Sequence, residues 1–385
     1  MKFFHISDLH IGKQLHHYNL KEDQRYIFNQ ILEHIEREQP KAILIAGDIY
    51  DSAVPSAEAV ALFDEFLTEL SQIKPEITVL IIAGNHDSGK RLSYASRILN
   101  NSRVYIAGLP PMTEEEHIQK VVLEDIHGEI NFYLLPFTKP AFVRSFQEEG
   151  SLTYQEAIEL LLGREEIDTT KRNVILSHQF YVAGGKEPVQ SESEMHTVGG
   201  LDQIDISVLA DFDYAALGHI HRPQKMGRET VRYCGTPLQY SISEASDKKS
   251  ITMVTFEEKG STPTIEEIPL KPLHPVRKLE GTLHEILENA KASQREDFVS
   301  ITLTDDIDPY YPKERLEELY HRILELRIDN ARTRKILDFS DAEPEIMHPK
   351  EAFLAFFTEM HGREMTKEES LLMDEIILKC QEGAE

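Results

Sequence analysis

Short β-branched apolar runs alternate with amphipathic stretches over the first 110 residues of the chain. The apolar runs at residues 2–7, 42–46 and 77–83 have the length and composition of buried strands. Between them, residues 22–38 and 56–73 place apolar side chains at helical spacing. This βαβαβ order predicts parallel strands covered by helices, with ligands at the carboxyl ends of the strands.

The strands predicted further along the chain are shorter and more closely spaced. They cover residues 121–125, 131–135, 174–177, 214–217, 231–234 and 250–256. This spacing favours a second sheet that contains hairpins. The predicted fold class is therefore α/β, with two mixed β-sheets packed face to face and helices on the outside.

Proline residues mark two candidate boundaries. Pro269, Pro272 and Pro275 fall within seven residues, which is the strongest linker signal in the chain, and Pro344 and Pro349 mark a second break. Between the two breaks, the pattern predicts a small α/β domain with strands at 276–279, 298–304 and 335–339 and helices at 283–291 and 312–326. The predicted domains are 1–270, 275–340 and 345–385.

Composition narrows the class of protein. A length of 385 residues favours two or three domains, and 41% apolar with 28% charged residues is typical of globular proteins. No apolar run approaches the ~18 residues of a membrane span, and cleavage of a leader would remove Asp8, so we expect a cytoplasmic protein without membrane association. Cys234 and Cys380 alone cannot form a disulfide framework or a thiolate zinc site.

The net charge of −26 opposes DNA binding by the isolated chain, because Lys and Arg contacts to phosphate usually dominate DNA affinity. Residues 341–385 hold twelve acidic and four basic residues, so most of the excess lies elsewhere. If the substrate is DNA, we expect a partner to supply the basic surface.

Five short motifs of metal-ligand type follow predicted strands. They are Asp8-Leu-His10, Gly47-Asp-Ile-Tyr-Asp51, Gly84-Asn-His-Asp87, Ser177-His178 and Gly218-His-Ile-His221. One such motif alone is structural more often than not, but five at comparable strand ends predict a two-metal phosphoesterase site.

The spacing within the motifs suggests how they work. Asp8 and His10 lie two apart in a segment expected to be extended, so both side chains would point to the same side, and His219 and His221 share this spacing. Glycines before the ligands are expected where the backbone turns sharply. The carboxylate of Asp48 has two oxygens and is suited to bridge two cations.

The motifs resemble those of the calcineurin-like metallophosphoesterase superfamily, whose signature elements are all present in the first ~260 residues. The resemblance implies one cation held by Asp8, His10, Asp48 and His221. It implies a second cation held by Asp48, Asn85, His178 and His219. Two divalent cations are thus expected, with Mn²⁺ as the expected ion and Mg²⁺, Fe²⁺ and Zn²⁺ as alternatives, since oxygen and nitrogen ligands alone do not choose among them.

His86 follows a predicted ligand and would point the other way, towards substrate. An imidazole with a pKa near ~6.5 is suited to give a proton to a departing oxygen. The resemblance implies that His86 is the acid of the transition state and that Asp87 orients it.

Several details resemble the SbcD family of bacterial nuclease subunits more narrowly. They are the opening Met1-Lys-Phe-Phe-His-Ile-Ser-Asp-Leu-His-Ile-Gly12, Gly47-Asp-Ile-Tyr-Asp51 with Pro55-Ser56, Gly84-Asn-His-Asp-Ser88 with Arg91-Leu92, and Gly218-His-Ile-His-Arg-Pro-Gln224. Archaeal and eukaryotic relatives place a histidine at the position of Asp51, so the role of Asp51 stays open.

The narrower resemblance implies a 3′→5′ double-strand exonuclease and a single-strand or hairpin endonuclease, gated by the ATPase SbcC. It also implies a capping domain over residues 275–340 and a homodimer within a heterotetramer. In the family, C-terminal helices dock on the coiled-coil base of this SMC-like ATPase.

The C-terminal segment fits such docking. An apolar stripe is formed at i, i+3, i+4 and i+7 by Phe353, Phe356, Phe357 and Met360. Thr366 and Glu369 then predict a capping box for a second helix that carries Leu372. The alternative is that both helices pack on the chain's own capping domain.

Other features leave alternatives open. Lys90, Arg91 and Arg222 flank the motifs and are candidates for phosphate contact, or ordinary solvated cations. The polar loop at 179–200 is a substrate lid or a surface excursion.

Residues Gly84 to Lys90 nearly form a P-loop, which is a phosphate-binding motif. Arg91 stands where this motif needs Ser or Thr, so no bound nucleotide is expected. The rival functions are a small-molecule or cyclic-nucleotide metallophosphodiesterase and an inactive scaffold.

Overall fold

The computed structural model describes residues 1–146, 151–194, 202–307 and 309–330, and parts of the segment 353–373 (353–354, 356–358, 365–367, 369–370 and 372–373). The predicted strand at 335–339 and Met360 lie outside the described residues. The chain divides into two compact units, one comprising 1–304 with 309–327 and the other 305–308 with 328–385.

The first six-stranded sheet carries the N-terminal βαβαβ pattern. Its strands, in spatial order, are β16 (Thr264–Pro269), β15 (Ser250–Thr255), β1 (Lys2–Ile6), β4 (Ala42–Ala46), β5 (Thr78–Ile82) and β6 (Val104–Ala107). The register makes β1, β4, β5 and β6 parallel, while β15 pairs antiparallel with β1 and β16 pairs antiparallel with β15. The predicted parallel arrangement of the N-terminal strands is confirmed.

The second six-stranded sheet has a similar plan. Its spatial order is β13 (Gln224–Met226), β14 (Arg228–Tyr233), β12 (Tyr214–Gly218), β9 (Arg172–His178), β8 (Gly128–Leu135) and β7 (Gln119–Asp125). Four parallel strands form its centre, and the antiparallel strands β7 and β13 lie at the two edges.

Helices cover the outer face of each sheet. The first sheet packs on α1 (Lys21–Glu38) and α2 (Ala57–Gln72), and the second on α5 (Tyr154–Gly163). Ser56 is the N-cap of α2, and its side chain accepts the backbone N–H of Ala59 at 3.2 Å and so satisfies one free amide of the first turn. Short helices α3 (Gly89–Leu92) and α4 (Ser96–Leu99) follow β5.

An apolar layer joins the inner faces of the two sheets. Phe3, Leu44 and Leu80 from the first sheet form one buried cluster with Val174 and Leu176 from the second. Because strand side chains alternate, these residues face inward while their neighbours face the helices. The predicted fold class, two mixed sheets packed face to face with outer helices, is confirmed.

A third sheet follows the proline-rich segment. It contains β17 (Val276–Gly281), β18 (Phe298–Leu303) and β19 (Arg322–Ile328), with α6 (Leu283–Glu288) and α7 (Pro312–Glu317) between them. The predicted helix at 312–326 is wrong in its second half, because the chain leaves α7 and enters β19. The buried Leu324 packs into the core beside the first sheet, and this tertiary contact outweighs local helical spacing.

Two small ribbons are formed by short strands, β2 (Gln14–Leu15) with β3 (Tyr18–Asn19) and β10 (Tyr181–Val182) with β11 (Ile204–Asp205). Near the C-terminus, Thr366 accepts the backbone N–H of Glu369 at 3.3 Å, and the Glu369 carboxylate accepts that of Thr366 at 2.8 Å, which confirms the predicted capping box. Within the described residues, no helix has the length and apolarity required to cross a membrane.

Candidate metal centre

The seven predicted ligands gather at one edge of the sandwich, where the carboxyl ends of the parallel strands of both sheets meet. The first sheet supplies four of them after β1, β4 and β5: Asp8, His10, Asp48 and Asn85. The second supplies three at the ends of β9 and β12: His178, His219 and His221.

One group of donor atoms forms around His10. Its Nε2 lies 3.2 Å from Nε2 of His221 and 3.7 Å from Oδ2 of Asp48. Donor atoms of Asp8, His10 and His221 lie within 4.8 Å of one another. All four side chains are buried. These are the four residues that the family resemblance assigns to one cation.

A second group forms around the amide oxygen of Asn85. Asn85 Oδ1 lies 3.0 Å from His178 Nε2 and 2.9 Å from His219 Nδ1. His178 Nε2 lies 3.3 Å from Asp48 Oδ2. The same carboxylate oxygen of Asp48 therefore contacts both groups.

The donor spacing fits two divalent cations. Ligand atoms at ~2.0–2.2 Å from one ion lie roughly 3–3.5 Å apart around it. The observed separations of 2.9–3.7 Å fall close to this range. The donors are carboxylate oxygen, amide oxygen and imidazole nitrogen, a set that suits Mn, Fe, Zn or Mg. The residues present fit a two-cation site that shares Asp48.

The backbone at four of the ligands is not extended, contrary to the expectation from the spacing of the Asp8–His10 and His219–His221 pairs. Asp8, His10 and Asp48 have φ angles of 53°, 42° and 50°, and His219 has 101°. The segment after β1 runs beside the segment after β4, with the N–H groups of Asp8 and His10 donating to the carbonyls of Gly47 and Asp48 at 2.9 and 3.0 Å. This pairing holds the left-handed conformations that bring the side chains together.

Two glycines are needed because backbones approach closely. A Cβ at Gly84 would lie 2.1 Å from Asp48 Oδ1, and one at Gly218 would lie 2.0 Å from the carbonyl oxygen of Ala46. The expected reason was a sharp turn, but Gly84 is needed for contact with the segment after the neighbouring strand β4, and Gly218 for contact with β4 of the other sheet. A larger residue at Gly218 would push the two sheets apart.

Buried charges shift the pKa values of the ligands. Burial lowers the pKa of His178, but the carboxylates of Asp48 and Asp8 outweigh it and raise the pKa to about 9. Burial and the neighbouring His178 lower the pKa of His219 to about 3. Burial raises the pKa of Asp48, yet His178 and His10 lower it overall. In the metal-free protein a proton on His178 thus balances the carboxylates, and cation binding would release it.

His86 is partly exposed, and the centre of its ring lies 4.8 Å from that of the ligand His10. Its backbone N–H donates to Asp48 Oδ1 at 2.9 Å, and its ring Nδ1 lies 2.9 Å from the backbone oxygen of Asp51. Because a carbonyl only accepts, Nδ1 carries a hydrogen and the ring is held in one orientation.

Asp87 does not contact the ring that it was expected to orient. Its carboxylate accepts the backbone N–H groups of Ile49, Tyr50 and Gly84 at 3.0, 3.0 and 2.9 Å. It therefore joins the loops after β4 and β5, while the carbonyl of Asp51 orients His86. Burial and the charge of Asp48 raise the pKa of Asp87 to about 6, against the effect of the three amides.

The side chain of Asp51, whose role the sequence left open, lies beside the ligand His10. Its Oδ1 lies 3.3 Å from His10 Nδ1 and 2.8 Å from Lys13 Nζ, so it faces the outer nitrogen of His10. His10, Asp51 and His86 also form a compact donor group by themselves. The sequence differs at position 51 from archaeal and eukaryotic relatives, which have a histidine there, and it did not predict the contact of Asp51 with His10.

The three predicted phosphate contacts differ in position. Lys90 and Arg91 are exposed on α3 and line a cavity of about 580 Å³ together with Tyr50. Arg222 Nη2 lies 2.7 Å from Asp247 Oδ1 and is thus paired within the chain.

The residues that surround His221 were not predicted from the sequence. Ser193 Oγ lies 2.7 Å from its Nδ1, and Glu194 Oε1 accepts its backbone N–H at 2.6 Å. Glu244 and Lys249 lie behind Ser193. Ser241 and Glu244 have capping-box spacing, but no sequence signal connected them with a metal ligand.

Two known protein families match parts of the chain. The calcineurin-like phosphoesterase family matches residues 1–223. A family described as the type 5 capsule protein repressor C-terminal domain matches residues 272–361.

Similar proteins extend over most of the chain. The SbcD subunit of the SbcCD nuclease of Staphylococcus epidermidis is 34% identical over 333 residues, which are 85% of this chain and 85% of that protein. The corresponding SbcD protein of Staphylococcus saprophyticus is 30% identical over 382 residues, 98% of each chain. A solved structure, GAP50 of the inner membrane complex of Plasmodium, is 12% identical and covers 70% of this chain and 89% of its own, with a TM-score of 0.42.

Proposed function

The chain belongs to the SbcD family of calcineurin-like phosphoesterases and is a metal-dependent phosphodiesterase, and we propose that it is the nuclease subunit of an SbcCD-type complex with DNA as substrate. The observation that supports the reaction most directly is the position of Asp48 Oδ2, 3.7 Å from His10 Nε2 and 3.3 Å from His178 Nε2. One carboxylate oxygen between two donor groups is the arrangement that two neighbouring cations need.

The proposed ligand sets are those implied by the family resemblance. Asp8, His10, Asp48 and His221 would hold one ion. Asp48, Asn85, His178 and His219 would hold the other. Two such ions, with Mn²⁺ as the expected metal, would supply binding of the phosphodiester, a more acidic water and compensation of charge on the leaving oxygen.

His86 is proposed as the acid that protonates the leaving oxygen. Its Nδ1–H donates to the carbonyl of Asp51, so Nε2 is the nitrogen that can pass a proton to substrate. The hydrogen bond from its backbone to Asp48 fixes the ring beside the shared carboxylate. Asp87 would act indirectly, by joining the loops that carry Asp48 and Asn85.

The proposed activities are 3′→5′ exonuclease on double strands and endonuclease on single strands and hairpins, gated by ATP turnover in SbcC. Lys90 and Arg91 support a DNA path, because both are exposed and line the cavity beside Tyr50 and Ser88. They are offered as phosphate contacts, whereas the ion pair of Arg222 with Asp247 favours a structural role for Arg222.

The proposed partner is an SbcC-type ATPase that binds residues 345–385, in a heterotetramer built on a homodimer of this chain. Two observations support a docking role: Phe356 is 57% exposed and Leu372 is 59% exposed. The net charge of −26 also favours a partner that carries the basic DNA surface. Deletion of 345–385 is expected to abolish co-purification with SbcC, and retained co-purification would contradict this assignment.

The test of the whole proposal is a Mn²⁺-dependent digestion of end-labelled blunt and hairpin duplexes by the full chain, with and without SbcC and ATP. We expect both DNAs to be cut, faster with the ATPase. The control is the Asp48→Ala chain, which should cut neither.

A second function requires a parallel assay because of the net charge. A small-molecule or cyclic-nucleotide phosphodiesterase would use the same ligands without a basic DNA surface. If a model diester is hydrolysed but no DNA is cut with SbcC and ATP present, this second function replaces the first.

A further inference from the structure

A buried polar cluster lies behind His221, on the side away from the metal groups. It combines residues 191–194, which follow β10, with residues 241–249, which precede β15. Neither segment supplies a predicted ligand. The proposed reaction therefore assigns no role to the residues of this cluster.

The centre of the cluster is an ion pair removed from solvent. Lys249 Nζ lies 2.6 Å from Glu244 Oε2, and the two side chains are 2% and 0% exposed. Lys249 also donates to the carbonyl oxygen of His221 at 3.1 Å and to Thr236 Oγ1 at 2.7 Å. Burial of two charges is costly unless both are fully hydrogen-bonded, so these contacts hold the pair in one geometry.

A hydroxyl connects this pair to the imidazole. Ser193 Oγ lies 2.5 Å from Glu244 Oε1 and 2.7 Å from His221 Nδ1. The carboxylate beside the lysine can only accept, so the single hydroxyl hydrogen of Ser193 points to Glu244. The lone pair of Ser193 then accepts a hydrogen from Nδ1 of His221.

The consequence concerns the tautomer of His221. With the hydrogen fixed on Nδ1, the lone pair is on Nε2, the nitrogen that faces His10 Nε2 at 3.2 Å. A metal ligand must present a lone pair, and the hydrogen bond at the other ring nitrogen decides which nitrogen does so.

We propose that Ser193, held by the Glu244–Lys249 pair, is a positioning residue that fixes His221 as a ligand through Nε2. This inference rests on the proposed function, in which His221 binds a cation. It assigns a role to the segment after His178: residues 191–194 support a ligand and are not a substrate lid.

Further contacts hold the same segment against the strand end. Glu194 Oε1 accepts the backbone N–H of His221 at 2.6 Å. Gln224 and Val189 exchange two hydrogen bonds, Val189 N to Gln224 Oε1 at 2.9 Å and Gln224 Nε2 to Val189 O at 2.8 Å. The loop is thus attached on both sides of Ser193, which keeps the hydroxyl at a constant distance from the ring.

His178 shows the simpler solution to the same problem. Its Nδ1 lies 2.7 Å from the backbone oxygen of Ala46, so a carbonyl fixes its tautomer directly. His221 instead depends on side chains from two distant segments. A change at Ser193 should therefore affect one donor group and leave the group of His178 intact.

The test is a Mn²⁺ titration of the full chain and its Ser193→Ala variant, with free Mn²⁺ followed by electron paramagnetic resonance. We expect two Mn²⁺ per chain in both, with one of the two bound about 10- to 100-fold more weakly in the variant. The Ser193→Thr variant keeps a hydroxyl and should restore the tighter binding.

The matched control is Ser243→Ala, which removes a hydroxyl from the same cluster. Ser243 Oγ accepts the N–H of Glu192 at 3.0 Å and lies 2.7 Å from Ser241 Oγ, which makes it a loop contact that does not involve the His221 ring. Its Mn²⁺ affinities should equal those of the unchanged chain. Equal weakening by Ser243→Ala and Ser193→Ala would overturn the proposal, as would an unchanged titration of Ser193→Ala.

A second readout is independent of metal and of cleavage. Nitrogen-15 spectra of histidine-labelled, metal-free protein distinguish the two neutral tautomers, and we expect the Nδ1–H form for His221 and a mixture in Ser193→Ala. An Nε2–H form in the unchanged chain would also overturn the proposal. Absence of Mn²⁺ binding by the unchanged chain would instead refute the proposed function, while failure to cut DNA would leave both readouts in place.

Discussion

The two six-stranded sheets contribute differently to the metal centre. The first sheet supplies the carboxylates and the amide of Asp8, Asp48 and Asn85, with one histidine, whereas the second supplies imidazoles alone. Each donor group contains atoms from both sheets. Neither sheet holds a complete group, so the site depends on how the sheets pack.

Two kinds of contact set that packing. The apolar layer with Leu44 and Leu176 joins the inner faces, and His5 on β1 contacts Tyr214 on β12 with Nδ1 3.0 Å from the phenol oxygen. Leu44, Leu176 and His5 are not predicted ligands, so variants at these positions can test sheet packing apart from ligand chemistry.

The largest effect is expected from Asp48→Ala, which removes the one oxygen shared by both groups. We expect both Mn²⁺ sites to be lost and cleavage to fall by more than ~10⁴-fold, beyond the range for loss of a general acid alone. Metal content and diester cleavage measure this. Asp211→Ala, an exposed aspartate before β12, is the control and should keep both. Two bound Mn²⁺ in Asp48→Ala would contradict the shared-carboxylate assignment.

The second largest effect is expected from His86→Ala, which removes the proposed general acid and keeps all seven proposed ligands. Cleavage should fall by ~10²–10⁴-fold with two Mn²⁺ still bound, because a general acid contributes in that range. If one Mn²⁺ is lost instead, the group of His10, Asp51 and His86 is a metal site and the assignment of His86 as acid is wrong.

Leu176→Ala tests whether the apolar layer holds the two sheets together. Leu176 is fully buried between the sheets, so its truncation should lower the free energy of unfolding by ~2–5 kcal/mol. Urea unfolding of the metal-free protein measures it. Ile126 in the turn after β7 is 95% exposed, and Ile126→Ala should stay within ~0.5 kcal/mol. Equal effects would mean that the apolar layer does not hold the sheets together.

The smallest effect concerns His5 and its pH dependence. Burial lowers the pKa of His5 to about 3. Below pH ~6.5 the unfolded chain takes up a proton that the folded chain accepts only near pH 3, so stability falls with decreasing pH by up to ~1.4 kcal/mol per unit.

His5→Leu removes this contribution, and its unfolding free energy should depend less on pH between about 7.5 and 5, measured with a chelator present. His127, exposed in the turn after β7, provides the control, because His127→Leu should keep the original slope. An unchanged slope in His5→Leu would show that His5 is not the group that links pH to sheet packing.

The sequence predicted the parallel strands and the strand-end position of all seven ligands, because strand periodicity and motif spacing are local properties. It did not predict the left-handed backbone at Asp8 and His10, which results from pairing with the segment after β4. It assigned part of β19 to a helix, since burial of Leu324 depends on a distant partner.

The sequence also did not predict which residues hold the ligands in position. Ser193 and Glu244 lie 51 residues apart, and only the packed fold brings them to 2.5 Å. Asp87 could be named from its motif but not placed, because its three amide partners lie in two loops. Local pattern thus predicts which side chains do chemistry, while the groups that hold them require the tertiary structure.

The antiparallel strand β15 has a consequence for the order in which the protein is made. It pairs with β1 through Thr252 to Thr255, so the strand that leads to Asp8 and His10 is flanked on both sides only after residue 255 has been synthesised. At ~5–20 residues per second this takes ~13–50 s on the ribosome. A nascent chain that ends before residue 221 lacks one of the seven predicted ligands. The centre therefore combines residues that are synthesised far apart in time, and β1 gains its second neighbour after the last predicted ligand has been made.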